Sequence, residues 1–282
     1  MPKPSIRILV SDQVHPDPSE MGLCVDVGLN HMTFALFRRS SKRLLGYESY
    51  VLNTHSRQDD VEEILVESPF LKLPFESVCL TYNTPESVLV PGLLHDPASA
   101  NDVVNLIHGD MPSGIVLQEQ VAGTDMYNVY RVPGWLHNAV SARFSNGEYW
   151  HAYSALLKTM ASRKQEWQRT FLYVWFFPAH VIVTLQKDDR LMLMQSLPYE
   201  TPEDLSYQML NMAEQFDLDV AELQIYLSGL IDRESIIHNE ILKYFLNVDM
   251  DAGLPGIEQV EAFSNHPAHY FTSSLSLCQC GS

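Results

Sequence analysis

The apolar and polar positions of the chain alternate with period two near its start. Leu23, Val25 and Val27 alternate with Cys24 and Asp26, and Met32, Phe34 and Leu36 alternate with Thr33 and Ala35. Such alternation predicts strands that turn one face to a core. A bend at Gly28 joins the two runs, so they read as a hairpin. A polar turn leads to a third strand over Leu44–Leu52, where Tyr47 and Tyr50 favour extended backbone. Ahead of the hairpin, Ile6–Val10 is a short apolar run with edge-strand character. Val61, Ile64 and Leu65 then recur at helical spacing and predict a helix over Arg57–Ser68, closed by Pro69 and Pro74. Phe75–Tyr82 is strand-like again.

From Asn83 to Pro133 the punctuation changes, with Pro85, Pro91, Pro97, Pro112 and Pro133. This stretch reads as an inserted subdomain with a helix over Ser99–His108 and strands over Ile115–Val121 and Met126–Val132. Helices are expected over Trp135–Phe144 and Glu148–Arg163. At Thr170 the first pattern restarts. Phe171–Phe177, Val181–Leu185 and Leu191–Leu197 read as strands, and Thr201, Pro202 and Asp204 form a helix start with a capping-box acid. Leu205, Met209, Met212 and Phe216 line one face of that helix, and the methionines read as core. A strand over Leu223–Leu227 and a helix over Ser235–Leu246 follow.

Each element of the second half lies roughly 147 residues after its counterpart, in the order strand, strand, strand, helix, strand. The expected architecture is α/β and duplicated. The first lobe is expected over residues 1–165, with the insertion at about 83–134, and the second over 166–282. Two such lobes would leave a cleft where their first hairpins face each other, a favoured place for ligands.

Composition narrows the partners. A formal net charge of −17 repels phosphate backbones and anionic lipid, so no nucleic-acid partner is expected. The basic cluster of Arg38, Arg39, Lys42 and Arg43 reads as a solvated hairpin turn. The most apolar window, Phe171–Leu185, is shorter than the roughly 18 residues that suggest a membrane span, so no membrane insertion is expected. The start of the chain shows no signal-peptide pattern, and the four cysteines demand no disulfide; a cytoplasmic location is the expectation.

Candidate chemistry centres on Asp26 and Gly28 at the mouth of the first hairpin. An acid can hold a metal-bound phosphate there, and a glycine lets the backbone approach it. His31 stands near by position and reads as a satisfied polar residue. His266 and His269 with Cys278 and Cys280 offer zinc-ligating atoms. However, Cys-x-Cys is a poor chelating spacing, and a closing helix would hold the two pairs apart. No Walker loop, Gly-x-Ser-x-Gly elbow or His-Glu-x-x-His is present.

A duplicated unit opened by Asp26-Val27-Gly28 resembles the actin-like ATPase superfamily, whose lobes are ribonuclease H-like and which includes actin, sugar and acetate kinases and heat-shock chaperones. More narrowly, NTPESVLVPGLLHDP from Asn83, NVYRVP from Asn128 and HPAHYFTSSLSLCQC from His266 resemble an uncharacterised bacterial family with this fold. The resemblance implies that Asp26 and Gly28 face a phosphate, with Asn30 in the same loop. It also implies a second Asp-x-Gly in the second hairpin. Without gaps Asp26 falls on Val174 and Gly28 on Phe176, within Tyr173-Val174-Trp175-Phe176-Phe177, so both the acid and the glycine are missing there. The adenosine motif reduces to Tyr226-Leu227-Ser228-Gly229-Leu230, with Ser228 in the place of a first glycine.

The expected site is therefore a nucleotide site of Asp26, Gly28, Asn30 and Gly229, with no catalytic residue and no metal ligand set. ATP with magnesium is a possible ligand and not the favoured one. The expected role is a degenerate ATPase fold kept as an interaction or scaffold protein with a protein partner. Alternatives are a nucleotide-dependent kinase or ATPase with an atypical second phosphate loop, and a small-molecule sensor that does not hydrolyse.

Overall fold

In a computed structural model of the chain, residues 2–10, 17–41, 43–163, 168–254 and 261–277 are described. They cluster into two compact units, Met1–Ser162 with Gly256–Asn265 and Ser274–Ser282, and Arg163–Pro255 with His266–Ser273.

The first unit is built on a six-stranded sheet of β1 (Ile6–Leu9), β2 (Met21–Gly28), β3 (His31–Arg38), β4 (Arg43–Val51), β5 (Ser77–Asn83) and β9 (Glu148–His151). Their order is β1-β4-β3-β2-β5-β9. The expected hairpin is present: β2, β3 and β4 pair antiparallel, while β5 and β9 add parallel to β2. Leu23, Val25 and Val27 are fully buried, as their alternation requires. Glu48, Phe34, Val25 and Leu80 are successive register partners on one face. Glu48 is buried there and is satisfied by Arg7 Nε and by Ser68 Oγ (2.6 Å). Ser68 caps the C-terminus of α1 (Arg57–Glu67), so one acid ties the edge strand and this helix end to the sheet.

Between β5 and β9 the chain builds a smaller sheet from β6 (Ser87–Pro91), β7 (Gly114–Gln120) and β8 (Met126–Pro133), in the order β6-β8-β7. Helix α2 (Ala100–His108) packs on it through Ala100 and Val104, against Val90 and Val129. The excursion is clasped at its neck. Thr84 Oγ1 donates to the Arg131 carbonyl (3.1 Å), and Arg131 donates from its N–H to the Glu86 carbonyl (2.8 Å) and from Nε to the Glu86 carboxylate (2.5 Å). Helix α3 (Gly134–Arg143) leads back to β9.

The stretch expected as one helix over Glu148–Arg163 divides into β9 and α4 (Ala152–Ser162). Glu148-Tyr149-Trp150-His151 pairs with Cys79–Tyr82 instead. The buried His151 ring then starts the helix by accepting the Tyr153 N–H at Nδ1 (3.1 Å).

The second unit repeats the arrangement with β10 (Phe171–Phe176), β11 (Val181–Lys187), β12 (Arg190–Leu197), β13 (Gln224–Gly229) and β14 (Asn247–Met250), in the order β12-β11-β10-β13-β14. The antiparallel and parallel senses match those of β4-β3-β2-β5-β9 position for position. Helix α5 (Pro202–Gln215) carries the expected capping box of Thr201 and Asp204. Its Leu205, Met209 and Met212 pack on Leu172, Val174 and Phe176, so these methionines are core. The helix expected to reach Leu246 stops earlier, as α6 (Ile236–Ile241), and a strand not anticipated, β14, follows. The last described helix, α7 (Thr272–Leu277), is preceded by a 3-10 turn over Ala268–Phe271 in place of one continuous closing helix.

Candidate functional site

Asp26 is the centre of a transverse row on the first sheet. Register pairs align Ser49 on β4, Thr33 on β3, Asp26 on β2, Thr81 on β5 and Trp150 on β9. The row is buried and polar: Asp26 is 2% exposed, and Thr33, Ser49 and Thr81 are no more so. Thr33 Oγ1 and Ser49 Oγ share a hydrogen bond (3.1 Å). Beside them Tyr47 meets Ser274 of α7 through their hydroxyls (3.2 Å). Burial pushes the Tyr47 phenol well up, and it stays neutral.

The carboxylate of Asp26 is held by a side chain. Its Oδ2 lies 3.0 Å from Nε2 of the fully buried His31. By its sequence context His31 is an ordinary polar residue near the bend; in the structure it is the partner of the acid. The ring also explains Gly28. A Cβ at residue 28 would stand 2.4 Å from His31 Cε1 and 2.8 Å from the Asn83 carbonyl oxygen. The glycine makes room for an imidazole that lies over the backbone of the bend. Asn30 sits in the turn, with its carbonyl accepting the Leu52 N–H (2.8 Å). Asp26 Oδ1, Thr81 Oγ1 and Asn30 Oδ1 are buried atoms without a hydrogen-bond partner among the described residues.

The corresponding row of the second unit follows from register. The last ladder pair of the first hairpin is Val27–Met32 and that of the second is Phe176–Val181. Phe176 therefore stands for Val27, and Trp175 stands for Asp26. The gapless alignment onto Val174 is off by one residue, which in a strand means the wrong face. Val174 belongs to the helix-covered core, whereas Trp175 lies in a row of Ser196, Ile182, Trp175 and Ser228. Trp175 is fully buried and stacks on Tyr173, with ring centroids 4.0 Å apart.

The second hairpin carries no acid in this row, but the row is not without a carboxylate. Asp251, one residue beyond β14, reaches Ser228 (3.4 Å) and completes the row at the position that Trp150 holds in the first unit. Its two oxygens take five donors: Arg163 Nη1 (3.0 Å) and Nη2 (2.7 Å), the Tyr173 hydroxyl (2.6 Å), Ser228 Oγ and the Gly253 N–H (3.2 Å). A carboxylate so surrounded has no lone pair left for a metal. Burial, and then the Asp251 charge, push the Tyr173 phenol far up, so it serves as a donor only.

Gly229, the fourth expected site residue, lies in this second unit. Its φ is +85°, and a Cβ there would meet the Phe176 carbonyl oxygen at 2.1 Å. That carbonyl accepts the Leu230 N–H (3.1 Å) and the Ser273 hydroxyl (3.3 Å). The glycine thus closes a turn on the end of β10. Asp26, Gly28 and Asn30 come together in the first hairpin, while Gly229 serves the end of the second sheet.

Of the zinc-ligating set, Cys278 and Cys280 lie outside the described residues. His269 Nε2 is bonded to the Ile231 carbonyl (2.8 Å), and His266 stacks on Tyr270. Among the described residues no group of three or more His, Cys, Asp or Glu is placed to hold a metal ion. No helix among them is long and apolar enough to cross a membrane.

Sequence reasoning passed over a second titratable cluster, where β7 meets the end of β9. Glu119 accepts the His151 backbone N–H (2.9 Å) and the Tyr130 hydroxyl (3.3 Å). Burial pushes its carboxyl up to about 7. Burial also pushes the His151 imidazole down to about 3; its Nε2–H donates to the Thr84 carbonyl (3.0 Å). No local motif marks Glu119, because Tyr130 and His151 come from two other elements, β8 and β9.

The family model described as a protein of unknown function, DUF3822, matches residues 15–248. No protein of curated function matches the chain. Among solved structures, a protein with actin-like ATPase fold and unknown function from Bacteroides thetaiotaomicron is similar over 93% of this chain and 96% of its own, with TM-score 0.74 and 14% identity. The PilM–PilN type IV pilus biogenesis complex matches over 95% of this chain and 99% of its own, with TM-score 0.55 and 12% identity. At these identities the likeness is one of fold, and the fold is actin-like.

Proposed function

From the premise that the chain belongs to the DUF3822 family and has the actin-like fold, we propose that it is a non-catalytic interaction or scaffold protein. One observation carries the reading: the His31 ring lies over Gly28 and binds Asp26, so the first phosphate loop is filled by its own side chain. The second loop supports it, with Trp175 in the acid's place and Asp251 fully engaged elsewhere. Metal-assisted phosphoryl transfer works almost wholly by positioning and charge stabilisation, and neither loop offers an open carboxylate and an open glycine together. The partner is a protein. The PilM–PilN complex illustrates a related fold engaged with another chain, and the acidic balance of −17 suits a partner with a basic face. The cytoplasm is the proposed location.

A thermal-shift titration with ATP and magnesium tests this. The expected result is no magnesium-dependent stabilisation in the wild type. A true ligand at a hundredfold excess over its Kd would add about 2.7 kcal/mol. Stabilisation on that scale, lost in Asp26→Asn, would overturn the proposal.

One observation favours a second reading. Asp26 Oδ1, Thr81 Oγ1 and Asn30 Oδ1 are buried polar atoms without a partner among the described residues. Such atoms cost stability unless water or a ligand meets them. A small molecule sensed there without hydrolysis would also depend on Asp26. It would stabilise the wild type over Asp26→Asn without magnesium or turnover.

A further inference from the structure

Two of the four cysteines are brought side by side in the first sheet. Cys24 on β2 and Cys79 on β5 are direct register partners in a parallel pair. Neighbouring strands run about 4.8 Å apart, and a disulfide spans Cα separations of roughly 4.4–6.8 Å. Register partners in a sheet also project their side chains to the same face. Neither residue is in a disulfide, and they are 2% and 5% exposed. Nothing in their separate sequence contexts signals a pair, since each lies in an apolar run where a thiol reads as a small hydrophobe.

A second observation gives the pair a route to solvent. A cavity of about 170 Å³ reaches Cys79, with Glu76 and Glu148 in its wall. The Cys79 thiol also donates to the Leu277 carbonyl (3.4 Å). A space of this size holds a few molecules the size of water, each about 30 Å³. It is too small for a peptide disulfide, and its carboxylates oppose an anionic oxidant. Neutral hydrogen peroxide fits both limits.

We propose that Cys24 and Cys79 are a redox pair that hydrogen peroxide closes into a disulfide. The Cys79 sulfur attacks one peroxide oxygen and the O–O bond breaks. This leaves a sulfenic acid on Cys79, and the departing hydroxide takes the thiol proton and leaves as water. The Cys24 sulfur then attacks the Cys79 sulfur and displaces the sulfenic oxygen, which leaves with the Cys24 proton as a second water. Two thiols lose two electrons in all, and one peroxide becomes two waters. Parallel strands hold the two Cβ vectors side by side without convergence, so closure draws β2 and β5 together. A bond made that way is readily reduced again, as a switch requires. Asp26 and Thr81 form the like-facing register pair next along the same two strands. The redox state of the cysteines therefore acts on the Asp26 row, whatever that row binds.

The test is a non-reducing peptide map of the folded wild type after peroxide treatment and maleimide quenching. Because it uses the wild type, it does not depend on a variant folding. The expected product is a Cys24–Cys79 linked peptide that dithiothreitol reverses, with intact mass lower by two hydrogens. In Cys24→Ser, dimedone should label Cys79. Survival of both thiols through the treatment would overturn the proposal. So would a link from Cys79 to Cys278 or Cys280 in place of Cys24. Dimedone labelling of Cys24 in Cys79→Ser, without labelling of Cys79 in the converse variant, would overturn the assignment of Cys79 as the attacking thiol.

Discussion

The two sheets carry the same row of five positions and fill it in opposite ways. In the first unit the acid stands on the leading strand and the indole on the last, as Asp26 and Trp150. In the second the indole leads as Trp175 and the acid closes the row as Asp251. Hydroxyls persist at two matching positions, Ser49 with Ser196 and Thr81 with Ser228. What differs is how each acid is satisfied. Asp251 takes five donors, including a bidentate guanidinium, and belongs to the framework. Asp26 takes the His31 imidazole on one oxygen and leaves the other without a partner among the described residues. The two units share the scaffold of the row and differ in its chemistry.

The largest expected effect tests the closed acid. Arg163→Ala strands a buried carboxylate and should cost about 3–5 kcal/mol in urea unfolding. His31→Ala should cost less, about 1–3 kcal/mol, since Asp26 loses one donor where Asp251 loses two. Equal losses would erase the distinction.

The next effect concerns pH and belongs to the first unit alone. The Glu119 carboxyl lies at about 7 in the fold, above its ordinary 4.5. The folded chain therefore holds a proton that the unfolded chain has released between those values. Its contribution is complete below about pH 4.5 and is lost as pH rises to about 7. The shift corresponds to about 3 kcal/mol. The His151 imidazole, pushed down to about 3, contributes the opposite trend, a gain as pH rises to about 6.5. Glu119→Gln should therefore leave a stability-versus-pH series that rises over this window; an unchanged series would place the titration elsewhere.

The smallest effect separates the two glycines. Gly229→Ala drives a methyl into the Phe176 carbonyl at positive φ, and should fall at the top of the roughly 1–3 kcal/mol range for overpacking. Gly28→Ala meets chiefly the His31 ring and should cost less. Trimming that ring in a Gly28→Ala, His31→Ala double variant should recover part of the loss relative to additivity. No trimming of Ser273 should rescue Gly229→Ala, because the clash there is with backbone.

Much of this fold was legible in the chain. Leu23, Val25 and Val27 showed their strand by alternation, and Thr201 with Asp204 marked the start of α5. The repeat spacing exposed the duplication. Short strands escaped notice because four residues carry too little periodicity. Glu148–His151 continued smoothly into a helical pattern, and the alternation of Asn247–Met250 ran for only four residues. The site was half legible. Asp26 and Gly28 were visible as a motif, but His31 was not visible as their partner. The trade of Trp175 for Asp26 depends on hairpin register, which a gapless alignment misses by one residue. Asp251 stood far outside any motif and entered the row only through parallel pairing.

The clasp between Thr84, Glu86 and Arg131 has a consequence for how the chain was assembled in evolution. It brings the departing and returning ends of the inserted sheet within hydrogen-bonding distance of each other. Once the neck is shut, everything between is a private excursion, and the ends of β5 and α3 sense only a short connection. The entropy of closing that larger loop is then largely independent of what the excursion contains. Such a graft point lets a lineage lengthen, shorten or exchange the appended sheet while the repeated frame beneath it stays the same.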